Sequence, residues 1–524
     1  MRRRSFLATA AASLAMPSIG RGEAATTLRM VPFANVSVID PLGPQAITRN
    51  HAFMVYDTLY GWNDHLEPEP QMAAGHAVED DGKQVTITLR DGLRFHDREQ
   101  VRAIDAVASL RRWMARNPYG QYLATITDVL SPVDDKSLRF RLSKPFPLII
   151  QGFGAIDWPC VVMPERIART DPAKLIEDAT GSGPFKFKKD EYNSGSRIVY
   201  ERNPLYTPRG SGIARLTAGP KVVHFDRVEL HIIADPATAA AALQTGEVDW
   251  FEQVPADLLE LLGRNRGLRV EPIGPHDVYA VFRLNHLQPP FNSKSMRQAL
   301  LPAIDQADFM RAVMGNVPES WRGDAGIFPF ESPMFSTTGL EPLRGPRSVE
   351  TARARLRQAG YSGQKVRLIG PADVPELTQL GRVGADLFAR LGLDLDYVES
   401  DMGTIAQRRN NRGPVTQGGW SLINSGAPAA FGFMDPAVHQ FIRGNGEAGL
   451  YGWPRVPRLE ELRTGWFEAP DLTQRRVIAA EMQQVAIDEV TYIPLGSHRS
   501  YTALNGELRD RVPGLSIYWN IRRG

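Results

Sequence analysis

Residues 27–31 alternate apolar and polar positions as a half-buried strand does, and Pro32 ends the pattern. A polar loop over 35–41 and an apolar segment over 53–59 follow. Residues 85–89 read Val, Thr, Ile, Thr, Leu, and Arg90, Asp91, Gly92 then turn the chain toward Leu93 and Phe95, which predicts a hairpin. Helical spacing returns over 104–114. A strand is expected over 137–142, closed by Pro145 and Pro147. Gly181, Ser182, Gly183, Pro184 marks a sharp turn. Beyond it strands are expected over 185–187, 197–201, 228–233 and 278–284. Helices are expected over 238–245, stopped by Gly246, over 295–304, and over 349–358, closed by Gly360. Strands and helices alternate throughout, an α/β or α+β pattern without a fixed-period repeat.

The chain has 524 residues, 43% hydrophobic and 23% charged, which is ordinary globular material long enough for roughly three domains. Cys160 is the single cysteine, so an intrachain disulfide and a zinc site of paired cysteines are excluded. Within the apolar run 158–163 it reads as a buried small hydrophobe.

The first 24 residues have the form of an export signal. Arg2, Arg3 and Arg4 precede a mild apolar run over 6–16, then Pro17, and a small-x-small site at Gly22, Glu23, Ala24 suits cleavage before Ala25. Arg3, Arg4, Ser5, Phe6, Leu7 fits a twin-arginine signal, with a basic general secretory signal as the alternative. Removing residues 1–24 takes away Arg2, Arg3, Arg4, Arg21 and Glu23, so the net charge moves from +2 to −1. A nucleic-acid binder would show a basic excess, and none remains. No later stretch reaches the roughly 18 apolar residues of a spanning helix. The mature protein is expected in the bacterial periplasm.

Catalytic signatures are missing from the sequence: no phosphate-binding glycine loop, dinucleotide fingerprint, Gly-x-Ser-x-Gly elbow or His-Glu-x-x-His pair occurs. His224 and His231 are seven apart in strand-like sequence and face opposite ways. Asp394 and Asp396 share a strand face and read as a solvated acidic edge. No enzyme, metal or cofactor is expected. Gly418, Gly419, Trp420, Ser421 with Asn424 leaves two readings open. Glycines beside an indole let backbone approach a ligand, or the tryptophan is a core residue beside a turn.

The order of short motifs resembles the family 5 extracellular solute-binding proteins of ABC importers, which bind dipeptides, oligopeptides, glutathione or nickel. The resemblance rests on Ile39, Asp40, Pro41; Tyr56, Asp57, Thr58, Leu59; and the run Thr88 to Asp97, where Arg98 replaces the family's Gly. It continues with Gly181 to Phe185; Glu201 to Tyr206; Gly246, Glu247, Val248, Asp249; and Pro290, Phe291 with Arg297, Gln298, Ala299, Leu300, Ile304, Asp305. It implies a two-lobed periplasmic binding protein of the α/β class, the cluster C type, with a hinge and a discontinuous first domain. Domain I would span 25–61, 179–274 and 490–524, domain II 62–178, and domain III 275–489. The implied function is capture of a small molecule and delivery to an ABC permease by a monomer, with no bond broken. Alternatives are a chemosensing role and, last, an exported hydrolase.

Peptide binders of this family carry an Asp three residues after the tryptophan matched by Trp420 and an Arg three before it. Here Ile423 and Gln417 stand there. Asp435 is a candidate substitute, although Met434, Asp435, Pro436 also fits a helix start. Expected ligands are therefore a blocked or modified peptide, an amino-acid conjugate such as an opine, or a small sugar or polyol. The expected cleft residues are Asn35, Trp420, Asn424, Phe282 and Asn285, with Trp158, Phe431 and Phe433 as walls.

Overall fold

The computed structural model describes residues 27–43, 46–315 and 318–524. The export segment, with Arg3 and Arg4, lies outside the described residues. Three sheets organise the chain. The largest has seven strands, with Thr27–Val31 parallel to Arg227–His231 on one side and to Trp250–Val254 on the other. Tyr501–Asn505 pairs antiparallel with both Trp250–Val254 and Leu268–Pro272, so the sheet draws on both ends of the chain. A second sheet of six strands centres on Val278–Leu284 between Leu422–Pro428 and Tyr492–His498. The resemblance grouped residues from 490 onward with the first domain; Tyr492–His498 pairs in the second sheet instead.

A smaller four-stranded antiparallel sheet is built from Ala73–Glu79, Gln84–Leu89, Ser137–Leu142 and Thr127–Pro132. Its hairpin corrects the sequence reading. Gln84–Leu89 pairs with the preceding strand Ala73–Glu79, through a turn in which Asp80, Asp81 and Gly82 all have positive φ. The chain after Gly92 contributes only an isolated bridge, Arg94 to Gln100. Asp and Gly tolerate the left-handed region a tight hairpin needs, so the competing turn lay just upstream.

Local signals fix several elements. Asp235 caps the helix Pro236–Thr245 by accepting the Thr238 amide at 2.7 Å, and Gly246 ends it at φ +76°. Ser348 caps Val349–Gln358 in the same way. Asp394 and Asp396 pair along parallel strands with Lys365 and Arg367. Cys160 is buried, and burial pushes its thiol well above the ordinary range, as a small core hydrophobe requires.

The motifs that carried the resemblance meet at junctions. Asp57 forms a fully buried pair with Lys221 at 2.7 Å and accepts the Tyr206 phenol at 2.9 Å. Asp40 pairs with buried Arg112 at 2.7 Å. Gly183 donates to the Val55 carbonyl, and Asn203 Nδ2 donates to the Gly183 carbonyl. A Cβ on Gly181 would lie 2.0 Å from the Val55 oxygen, so this crossing admits no side chain. Among the described residues no helix is long and apolar enough to cross a membrane.

Candidate functional site

The seven-stranded and six-stranded sheets are joined by two stretches of chain, 273–277 and 499–500. They are tied together by the Ile273 amide donating to the Ser500 carbonyl at 2.9 Å. Strand pairing runs antiparallel on both sides of this crossing, Pro272 with Tyr501 and Val278 with His498. Such a two-strand junction lets two bodies pivot while their cores stay intact.

On the six-stranded sheet, side chains alternate between two buried faces. One face packs under the helix Pro375–Arg390 and holds Phe282 and Asn424, cross-strand partners in register. Phe282 is fully buried against Phe309 and Phe388. Asn424 Nδ2 donates to the Leu377 carbonyl at 2.6 Å, and its Oδ1 crowds Gly370 and Gly381. Both residues expected in the cleft thus lie on the helix-covered side. The opposite face carries Asp277, Tyr279, Val281 and Arg283, with Ile423 and Ser425 beside them.

Trp420 is fully buried, donates Nε1 to the Arg409 carbonyl at 3.0 Å, and packs on Tyr451 and Trp453. Asn285 is fully buried and bridges this turn, its Nδ2 donating to the Trp420 carbonyl and its Oδ1 accepting the Leu287 amide. Gly419 serves close backbone packing: a Cβ there would sit 1.9 Å from the Gly413 oxygen. Of the two readings of this turn, a core tryptophan is the geometry found.

Phe433 is buried among Tyr279, His439, Phe441 and Tyr492. The Phe431 side chain lies outside the described residues. Trp158 is half-buried with φ +46°, an uncommon conformation for a bulky residue, and its carbonyl accepts Trp113 Nε1 and Asn117 Nδ2. Next to it Asp157 pairs with Arg49 at 2.7 Å, joining this loop to the helix Ala46–Val55. Asn35 donates to Ser194 Oγ at 3.2 Å, and its Oδ1 is buried without a partner. Beneath that loop Glu252 accepts the Phe33 amide at 2.8 Å, and burial raises its carboxyl to about 7.

Asp435 is fully engaged. Its Oδ1 accepts the Ala437 and Val438 amides, and its Oδ2 accepts the Tyr119 phenol at 2.8 Å. The helix start expected there is a turn. Arg283, buried without a carboxylate, donates to the carbonyls of Tyr451, Phe441 and Thr491, and burial lowers its pKa to about 10. Among the described residues no group of three or more His, Cys, Asp or Glu is arranged to hold a metal.

Several polar groups near the crossing escaped the sequence reading. The phenol oxygen of Tyr279 and Oε2 of Glu331 are buried without hydrogen-bond partners. Asp277 Oδ2 accepts Ser497 Oγ at 3.0 Å. The guanidinium of Arg409 lies over the Tyr451 ring at 4.8 Å, and the Tyr451 hydroxyl is 3.4 Å from Ser425 Oγ. The available signal was the period-two series Asp277, Tyr279, Val281. Because both faces of the strand are buried, periodicity alone does not say which meets the cleft.

The sequence profile of the bacterial extracellular solute-binding proteins, family 5 middle region, matches residues 67–446. The chain is 35% identical over 525 residues to the probable peptide ABC transporter periplasmic-binding protein y4tO of Sinorhizobium fredii, covering 98% of this chain and 97% of that one. Its fold matches the dipeptide-binding protein of Pseudoalteromonas sp. SM9913 in complex with Met-Leu, with TM-score 0.79, 20% identity and coverage of 95% and 100%. It also matches AgaA of A. tumefaciens R10 in complex with agropinic acid, with TM-score 0.78, 19% identity and coverage of 95% and 99%. The mixed α/β architecture of two bodies on a paired crossing is that of two-lobed periplasmic binding proteins, and the chain belongs to the bacterial extracellular solute-binding proteins, family 5, as the solute-binding component of an ABC transporter.

Proposed function

We propose that the mature chain is exported to the periplasm, by a twin-arginine signal in residues 1–24, and there captures a peptide-like or amino-acid-derived solute as a monomer. It hands the solute to a membrane permease and returns it chemically unchanged. The observation that carries this reading is the crossing itself. Two sheets meet at hydrogen-bonded strands, and polar atoms without partners, Tyr279 phenol and Glu331 Oε2, are buried on the six-stranded side. Buried polar groups left unpaired cost free energy, and a bound solute offsets that cost.

In this reading the bodies are domain I at 25–61, 179–274 and 499–524, domain II at 62–178, and domain III at 275–498. The last boundary follows the sheet to which Tyr492–His498 belongs. The solute lies against Tyr279, Ser425, Tyr451 and the Arg409 guanidinium on one side and Asn35 and Trp158 on the other. Trp420, Asn285, Phe282, Asn424 and Phe433 support these groups from behind. The peptide character draws support from the similarity to y4tO and to the Met-Leu complex; the likeness to AgaA keeps opine-type conjugates within the class.

Native mass spectrometry of the protein purified from periplasm, followed by denaturation, tests the reading. The expected result is a stoichiometric small molecule containing an amino-acid unit, recovered intact after prolonged incubation. A protein that is empty and gains no thermal stability with any peptide, opine or polyol would overturn it.

A further inference from the structure

Strand register assembles one row of side chains at the crossing end of the six-stranded sheet. Tyr279 is paired with Ser497 on one side and Ala427 on the other, and Ser497 is paired with Arg322. Asp277, two residues before Tyr279, shares this face and is anchored by Ser497 Oγ and by the Ala429 amide, which donates to its carbonyl. Tyr279 is 0% exposed, yet its hydroxyl has no partner. Burial raises the pKa of that phenol most, and then, in order, Glu331, Tyr492, Asp277 and Asp324 add to it. Glu331 has one carboxylate oxygen buried and unpaired, and burial together with Asp277 raises its affinity for a proton. Arg322 and Arg499 also act on Glu331 and favour its charged form. Neither is within ion-pair distance of it, and Arg322 lies instead over the Phe330 ring at 4.7 Å.

The groups gathered around the Tyr279 phenol are mainly acidic, and neither the Tyr279 hydroxyl nor Glu331 Oε2 has a hydrogen-bond partner. They are not arranged as a metal site. The far end of the same face has the opposite character. Ile423 is the cross-strand partner of Arg283, whose guanidinium is completely buried, so a cationic group placed beside Ile423 would meet a like charge and no carboxylate. Tyr279 and Arg283 are four residues apart along the strand, and of the two ends the crossing end is the one with carboxylates to offer a cation.

We propose that Glu331, Asp277 and the Tyr279 hydroxyl form a subsite for a primary ammonium group, so that the solutes of this protein carry a free amine. This rests on the solute-capture reading above and narrows its ligand class. An ammonium has three hydrogens to donate, and these residues supply carboxylate and phenol oxygens to accept them. The phenol hydrogen is then free to turn to Glu331.

The test uses the mature chain freed of bound solute and a panel of di- and tripeptides, including Met-Leu, each with a free and an N-acetylated amine. Mannitol and pyroglutamic acid serve as amine-free members, and binding is read by thermal shift and calorimetry. The expected hits are free-amine members that lose at least tenfold in affinity on acetylation. In Glu331→Gln the same loss is expected with the melting temperature of the empty protein little changed, because the glutamine keeps an oxygen for the backbone hydrogen bond that the carboxylate accepts, and the other oxygen has no partner to lose. Tyr279→Phe, which removes an unpaired hydroxyl, should keep its fold and bind free-amine members severalfold more weakly. Hits confined to acetylated or amine-free members, unchanged affinity in both variants, or a marked loss of stability in empty Glu331→Gln would overturn the subsite and leave solute capture standing. No response to any member would overturn both.

Discussion

The phenol of Tyr119, on the helix Pro118–Ile126, donates a buried 2.8 Å hydrogen bond to Asp435, a residue 316 positions away. The contact is reinforced nearby. Tyr122 stacks on Phe467 at 4.6 Å, and Lys144 pairs with Glu468. It ties the part of the chain around the four-stranded sheet to the part around the six-stranded sheet, and so bears on how those bodies sit together. Removing the hydroxyl leaves the carboxylate with only its two backbone donors. Tyr119→Phe is therefore expected to cost about 1–3 kcal/mol of stability, read as a lower melting temperature, with Asp435→Asn at least as damaging.

The Asp57 and Lys221 pair is buried on both sides, and a charge left there alone is expensive. Asp57→Asn and Lys221→Met are each expected to cost about 3–5 kcal/mol, seen as lost soluble yield and a reduced denaturation midpoint. The double variant Asp57→Asn with Lys221→Met should be less damaging than the sum of the two, since no uncompensated charge remains.

Trp420→Ala should act first on folding. The indole is fully buried and holds the Arg409 carbonyl, so its removal is expected to cost about 3–5 kcal/mol in chemical denaturation. Trp420→Phe should cost less and leave solute affinity within severalfold of the parent. A variant of full stability with abolished binding would return this residue to the cleft.

Glu252 gives stability a pH dependence. Its carboxyl ordinarily titrates at 4.5 and is raised by burial to about 7 in the folded chain, so the folded state holds a proton that the unfolded state has released. Stability from this group is highest below about 4.5 and is lost as pH rises to about 7, a change on the order of 3 kcal/mol. Denaturation midpoints of the parent, taken relative to Glu252→Gln, should fall between pH 5 and 7 and be level above it.

Gly181→Ala should be poorly tolerated, because the new methyl would meet the Val55 carbonyl; overpacking against backbone costs about 3 kcal/mol or more. Gly246→Ala has open space around it and only its positive φ to resist the change, so about 1 kcal/mol is expected. A comparison of the two melting temperatures checks the order.

Much of the frame was legible because its signals are local: glycine stops at Gly246 and Gly360, and the motif residues Asp40, Asp57 and Gly181 at junctions. The binding face was not. Phe282 and Asn424 fell on the helix-covered side, opposite the face proposed for binding, because a shift of one residue along a strand moves a side chain to the other face, and both faces here are buried. Glu331 lies in a loop with no periodicity to read, and the partner of Asp435 was hidden by sequence distance. The wrong hairpin partner came from two adjacent glycine turns of similar composition.

The strand Trp250–Val254 lies between the first described strand of the chain, Thr27–Val31, and one of the last, Tyr501–Asn505. During synthesis Thr27–Val31 gains both its neighbours once Trp250–Val254 is made, but the far edge of Trp250–Val254 stays open until Tyr501–Asn505 follows. A nascent chain stopped short of Tyr501 lacks the strand that joins Trp250–Val254 to Leu268–Pro272, and the return arm of the crossing with it. Completion of the lobe is thus a terminal event of translation, and premature release yields a chain with an unpaired edge exposed to aggregation.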